Sequence, residues 1–329
     1  MIPKLLLDSK NHVEDMIELL SILNDEVSRK KFLDTVTISD KSKTKTNRLN
    51  LGYFSKPDLR EFMFAFLKQK GKPLKAFPSV LNLTMDRLML YHIIIESPIS
   101  EFNEFQLNSE FFELYRNHNH LDSIVFGVLY TLEKYKRSIP AVNVINSEGD
   151  KNCGSGLLVK VSSNKLGILT NAHVLENNSI KNIVAGDIEY TIIDDPIVSE
   201  DSDLAFIPVD IPKIYTPNFV LSKPEILQTV IAIGYPKIST AVDQYALFHK
   251  GEINGEVKTV NGSIFLAISC HVSPGNSGGP LVSEIGELVG VVTQSNTGKY
   301  LAKDGDTNEN IYHMAIPSNV IHQFLDTIK

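Results

Sequence analysis

The stretch 274-PGNSGGPLV-282 sets three glycines and two prolines around one serine, Ser277. A phosphate cradle would read G-x-x-x-x-G-K-[ST] and run into a helix. Here the glycines lead to Pro280 and an apolar run, with no lysine nearby. An α/β-hydrolase elbow reads G-x-S-x-G between a strand and a helix. Gly275, Ser277 and Gly279 match it letter for letter, but no helical pattern follows. A third reading is a serine nucleophile on a turn between strands. A serine hydroxyl is weakly nucleophilic, so that reading needs a base, a group that orients the base, and donors for an oxyanion.

Each has a candidate. In 169-LTNAHVL-175, His173 follows a β-type run and opens a short helical turn. The other eight histidines lack such a setting. In 202-SDLAFIPV-209, Asp203 stands at the entry of an apolar strand, where a partner must compensate the desolvation of its carboxylate. Gly275, two residues before Ser277, leaves its N–H uncrowded, so the N–H groups of Gly275 and Ser277 can converge.

The wider composition bounds the class. With 329 residues, two domains are the prior. Residues 1–137 hold 20 Lys+Arg and 18 Asp+Glu, whereas 138–329 hold 12 and 21 and no arginine. So acidic a half disfavours nucleic-acid binding, which needs clustered cations. No apolar run is long enough for a membrane-spanning helix, and the N-terminus lacks a signal-peptide pattern. A cytoplasmic protein with two reduced cysteines, Cys153 and Cys270, is expected.

The two parts differ in period. Residues 1–137 read as helical, with helices over 13–27, 55–71, 84–96 and 121–136. A capping box is expected at Asn11 and Glu14, and a loop over 40-DKSKTKTNRLN-50. The aromatics of 102-FNEFQLNSEFFELYRNHNH-120 fall at helical spacing, as core or as a partner-binding face. Residues 138–329 read as short strands: 141–145, 156–162, 166–170, 188–193, 204–209, 230–236, 264–269, 288–294 and 311–316. Hairpin turns are expected at Asn254-Gly255 and Asn261-Gly262, and a last helix over about 317–328.

The order His173, Asp203, Ser277, at spacings of 30 and 74 positions, resembles the trypsin/chymotrypsin-like serine proteases, in particular their HtrA-like bacterial branch. The matching segments are 154-GSGLLV-159, 168-ILTNAHVL-175, 203-DLAFIPV-209, 233-IGYP-236, 274-PGNSGGPLV-282 and 315-AIPSNVI-321. The resemblance covers residues 138–329 and implies there a chymotrypsin-like double antiparallel β-barrel, without the C-terminal peptide-binding domain of HtrA proteins. With the helical period of 1–137, expected by analogy to act as a regulatory or adaptor domain, the chain reads as multidomain α plus all-β. The resemblance also implies a serine endopeptidase with Ser277 as nucleophile, His173 as base and Asp203 as orienter, and an oxyanion hole from the N–H groups of Gly275 and Ser277. Thr293 matches the position beside the buried aspartate, and Gln294 and Ser295 the strand that pairs with substrate. His271, six residues before Ser277, matches the pocket base. It suits an acidic side chain or forms a neutral wall, and an apolar or small residue before the scissile bond is the expectation.

Three departures shape the reading. Cys153 lacks the disulfide partner found beyond the histidine in secretory trypsins. Asn276 replaces the aspartate that receives a new N-terminus in zymogens, so 136-KRSIPAV-142 reads as a linker. The run 304-DGDTNEN-310 lacks the EF-hand glycine and glutamate, so no metal or other cofactor is expected. The partners implied are a protein or peptide substrate and a regulatory protein acting through 1–137, in the manner of bacterial defence or signalling proteins. A catalytically silent peptide-binding module is the alternative.

Overall fold

The computed structural model describes residues 10–37, 42–72, 77–97, 104–118, 120–162, 165–210, 219–299 and 309–328. The chain divides into two compact units, Met1–Thr131 and Leu132–Lys329.

The first unit is mainly helical. Helix α1 (Lys10–Asn24) buries Val13, Met16, Leu19, Leu20 and Leu23. Asp25 accepts from the Ser28 N–H and starts α2 (Glu26–Thr35). The polar run expected to be a loop forms α3 (Lys43–Asn50), capped by Ser42. Ion pairs compensate its poor hydrophobicity: Lys45 bonds buried Asp58, and Arg48 bonds buried Glu104. Strand β1 (Tyr53–Ser55) leads into α4 (Lys56–Gln69), whose start is a reciprocal Ser55–Asp58 capping box. The box expected at Asn11 and Glu14 is not at a helix start, because Lys10 is already helical.

Helix α5 (Phe77–Leu90) is followed by β2 (Ile94–Glu96), β3 (Glu104–Leu107), α6 (Ser109–Asn117) and α7 (Leu121–Phe126). Strands β1, β3 and β2 form an antiparallel sheet in that order. Strands of three or four residues are too short to show alternation, so the sequence signalled only helix there. The helix expected over 121–136 breaks at Gly127 (φ +81°) and resumes as α8 (Val128–Tyr135).

The second unit is β-rich. Its first part comprises β4 (Ala141–Asn146), β5 (Lys151–Ser155), β6 (Leu157–Ser162), β7 (Lys165–Thr170), the short helix α9 (Ala172–Leu175), β8 (Asn178–Ala185), β9 (Ile188–Glu189), β10 (Thr191–Ile192), β11 (Ile197–Val198) and β12 (Ala205–Asp210). They make two sheets, β5-β4-β8-β9 and β10-β12-β7-β6, with β11 on β12. Both sheets contribute to one core, including Val142, Leu158, Ile168, Ile183 and Ile207.

The second part comprises β13 (Thr229–Gly234), β14 (Leu247–Lys258), β15 (Ile264–Ile268), β16 (Pro280–Ser283), β17 (Leu288–Lys299) and β18 (Glu309–Pro317). These close into a barrel in the order β13-β14-β15-β18-β17-β16. Its core holds Val230, Ile253, Leu266, Leu281, Val292 and Ala315. Helix α10 (Ser318–Ile328) follows and buries Ile321, Phe324 and Ile328.

Of the double barrel expected from the sequence, one barrel closes by strand pairing among the described residues. In the first part the chain crosses between sheets at single residues, Gly156 and Tyr190. β5 pairs with β4 and β6 with β7, so these corners are joined covalently and not by a ladder. Asn261-Gly262 does join β14 to β15, with Gly262 at φ +91°. Asn254-Gly255 instead lies inside β14, at a bulge between Ile253 and Gly255.

Candidate active site

Asp203 and His173 come together through adjacent strands. β7 and β12 pair antiparallel, with Thr170 opposite Ala205. His173 therefore leaves the end of β7 where Asp203 approaches the start of β12. The Asn171 amide donates to the Asp203 carbonyl at 2.8 Å and fixes the junction. The carboxylate receives three hydrogen bonds. The His173 backbone N–H reaches Oδ1 at 3.0 Å, His173 Nδ1 reaches Oδ2 at 2.7 Å, and the Thr293 hydroxyl reaches Oδ2 at 2.6 Å.

Burial alone would raise the pKa of Asp203. The bonds from the His173 ring, the Thr293 hydroxyl and the His173 backbone outweigh it and hold the carboxyl below its ordinary value. An ionised carboxylate only accepts, so Nδ1 must carry a proton, and in the neutral form of the ring the lone pair is then on Nε2.

Ser277 lies between β15 and β16, half-buried. Its surroundings are fixed by β17, the strand that also carries Thr293. The Gly278 N–H donates to the Val292 carbonyl at 2.9 Å, and the Val292 N–H to the Gly279 carbonyl at 2.8 Å. Gly154 marks how near the His173 turn comes: a Cβ there would lie 2.6 Å from Val174 Cγ1 and 3.3 Å from the Ser277 carbonyl oxygen. Among the described residues the Ser277 hydroxyl makes no hydrogen bond, with His173 or with any other group. Catalytic contacts in unliganded sites are often longer than in the complex.

The loop's N–H groups divide into two sets. Those of Asn276, Gly278 and Gly279 donate to Ser273, Val292 and Asn276 carbonyls. Those of Gly275 and Ser277 donate to no acceptor among the described residues, which leaves two donors for an oxyanion. The backbone that exposes them is left-handed at Gly275 (φ +103°) and Gly278 (φ +84°). A Cβ on Gly278 would also stand 2.2 Å from the Ser155 carbonyl oxygen.

Ser155 is the residue that sequence reasoning missed. It is fully buried. Its N–H donates to the Ser277 carbonyl at 2.7 Å, and its hydroxyl donates to the Gly275 carbonyl at 2.7 Å while accepting from the Tyr235 N–H at 2.9 Å. One side chain thus ties β5, the end of β13 and the Ser277 loop together. The available signal was a serine between two glycines, in 154-GSG-156.

The remaining candidates fall as follows. His271 is exposed, with its ring against His249 and His313. The backbone of Gln294 and Ser295 belongs to β17, at a register shift against β18, and their side chains lie outside the described residues. Asn276 is buried beneath the loop, and its amide atoms have no partner among the described residues. Both cysteines are free thiols. Burial pushes Cys153 up to about 11, against a smaller lowering by Gln244. Most of 304–310 lies outside the described residues, and among those described no group of acidic, histidine or cysteine side chains is arranged to hold a metal.

Several known proteins are similar to this chain. Residues 154–291 match the family model described as "Trypsin-like peptidase domain". The chain is 30% identical over 178 residues to the "Serine protease Do-like HtrA" of Lactobacillus helveticus, covering 51% of this chain and 41% of that protein. It is 28% identical over 207 residues to the "Serine endoprotease DegS" of Escherichia coli (strain K12), covering 59% of this chain and 56% of that protein. The chain thus spans about half the length of the curated relatives it matches. Among solved structures, an HtrA-type protease AlgW with tripeptide is 20% identical, with a TM-score of 0.45, over 61% of this chain and 63% of that one. A helical region thus precedes a β-rich region that matches the trypsin-like peptidase domain model over residues 154–291. No helix among the described residues is long and apolar enough to cross a membrane.

Proposed function

We propose that residues 138–329 are a serine endopeptidase domain working through Ser277, His173 and Asp203. The observation that carries this reading is the Asp203 carboxylate, held by the His173 backbone, the His173 ring and the Thr293 hydroxyl. It leaves Nε2 as a base, and the strand supplying Thr293 also fixes the Ser277 loop.

In the mechanism, Ser277 Oγ attacks the scissile carbonyl and its proton passes to His173 Nε2. Asp203 stays ionised and stabilises the imidazolium. The Gly275 and Ser277 N–H groups receive the oxyanion. Collapse gives the acyl-enzyme as His173 protonates the leaving amine, and a water activated by the same imidazole releases the acid. Substrate lies extended along β17 at Thr293, Gln294 and Ser295. A fluorophosphonate probe tests this: the wild type should label and Ser277→Ala should not. Mapping new protein N-termini with the same pair then identifies the target.

The helical residues 1–137 act as a regulatory or adaptor domain for a protein partner, in a cytoplasmic defence or signalling role. A fragment 138–329 that cut every target at the rate of the full chain, and bound every partner, would refute that role. The second reading is a catalytically silent peptide-binding module. It is favoured by the absence of a hydrogen bond on the Ser277 hydroxyl, and complete failure of the probe would select it.

A further inference from the structure

Three imidazoles meet beside the Ser277 loop. His271 lies on the chain entering the loop and is exposed. Its ring packs edge-to-face against His249 at 5.5 Å and His313 at 5.8 Å between centroids. His249 is on β14 and His313 on β18. Strand alternation turns both inward. His249 shares its face of β14 with Ile253, and His313 shares its face of β18 with Ala315; Ile253 and Ala315 belong to the barrel core.

Strand pairing relates this cluster to a substrate. β16 covers one edge of β17 only between Leu288 and Val291, while among the described residues Asn296–Lys299 pair with β18 alone. An extended chain can add to the uncovered edge. In the endopeptidase reading, a substrate paired along β17 with its carbonyl at Ser277 has the side chain preceding the scissile bond bordered by β17, β18 and the segment 271–275. Two of those three walls carry an imidazole of the cluster.

The chemistry of the lining suits an anion. Strands β13, β15, β16 and β17 as far as Thr293 carry no charged side chain. On β14, Lys250 and Glu252 are exposed and alternate away from His249, and Lys250 is ion-paired with Glu284. Cys270 is a buried thiol. His249 Nε2 is buried with no hydrogen-bond partner among the described residues. Burial, and then the neighbouring His271, hold His249 and His313 below the ordinary histidine value. Crowded imidazoles resist protonation until a counter-charge arrives. A metal is not the fitting occupant, since the three are not arranged to hold one.

We propose that His249, His271 and His313 form the specificity pocket and select an acidic side chain immediately before the scissile bond. This rests on the endopeptidase reading above and departs from the apolar or small residue expected from the sequence. The substrate carboxylate meets the His271 imidazole, and the cluster takes one proton from solvent on binding. His249 and His313 spread the resulting charge.

The full chain should be assayed with fluorogenic peptides identical except for Glu, Gln, Val or Lys before the cleaved bond. The Glu/Gln ratio of kcat/KM cancels every pH effect that the two substrates share. That ratio should be at least tenfold near pH 6 and fall towards unity by pH 9, and His271→Gln should collapse it at every pH. Because a variant can misfold, Ser277→Ala protein provides a second measurement. A product peptide ending in Glu should bind at least tenfold tighter than its Gln counterpart, with proton uptake seen by calorimetry in two buffers. Protein that labels with fluorophosphonate yet cleaves the Gln or Val peptide as fast as the Glu peptide overturns the specificity and leaves the peptidase reading standing. Failure to label, with no cleavage of any peptide, overturns both.

Discussion

At the scale of single residues, the site depends on how donors are counted. Asp203 accepts three hydrogen bonds, and each favours its charged form. Asp203→Asn keeps the shape but cannot hold the Nδ1 proton, so kcat should fall by about 10³–10⁴ with folding retained. Thr293→Val removes one donor and should cost about 1 kcal/mol at pH 7. The pH dependence has a definite sign. A carboxyl depressed in the folded state contributes stability above its unfolded value of about 3.9, and that stability is lost as pH falls through the lower folded value. The gap between wild type and Thr293→Val in urea unfolding should therefore narrow from pH 7 towards pH 3; a constant gap would mean that the hydroxyl does not act through the charge. Ser155→Ala strands the buried Tyr235 N–H and leaves the Gly275 carbonyl without its donor. It should cost about 1–3 kcal/mol and lower kcat more than it raises KM, because it loosens the Ser277 loop without touching substrate. The triad candidates were legible because each sits in a short motif. Ser155 was not, since a serine beside glycines becomes informative only once Gly275 and Tyr235 lie next to it.

At the scale of elements, the loop 273–279 and its support from β17 form one construction. Gly278→Ala places a Cβ in left-handed backbone and 2.2 Å from the Ser155 carbonyl oxygen. The strain alone is about 1–3 kcal/mol. Chemical denaturation should show a loss at least that large, together with loss of probe labelling. Helix α10 is held by Ile321, Phe324 and Ile328, and by Lys165 Nζ donating to the Ile328 carbonyl at 2.6 Å. Phe324→Ala should cost about 3–5 kcal/mol in the β-rich unit. Elements with an apolar period, such as β7, β12 and α4, were readable. Strand β14 was not: in 247-LFHKGEINGEVK-258 only Ile253 is fully buried, and a bulge takes up the Asn-Gly pair that reads as a turn. Helix α3 was hidden in the same way, because its stability comes from a Ser42 cap and ion pairs to distant Asp58 and Glu104.

At the scale of the whole molecule, charge and topology tell different things. The net charge of −7 and the acidic, arginine-free second half predict no binding to a DNA duplex at 50 mM salt; measurable anisotropy change there would contradict the reading. Composition and motif order, being local, carried the division into a helical and a β-rich part, and the His173–Asp203–Ser277 order. The sequence by itself determined the residue types able to do the chemistry and the glycines that the turn requires, because backbone conformation and side-chain chemistry are properties of single positions. Tertiary structure alone decided that, among the described residues, one barrel closes by pairing while the sheets of the first part meet at single-residue corners. It alone brought Ser155 under the loop and packed His249, His271 and His313 edge-to-face, since these depend on strand register between positions far apart in the chain. A one-residue shift in register turns a side chain to the opposite face, and no local pattern records it.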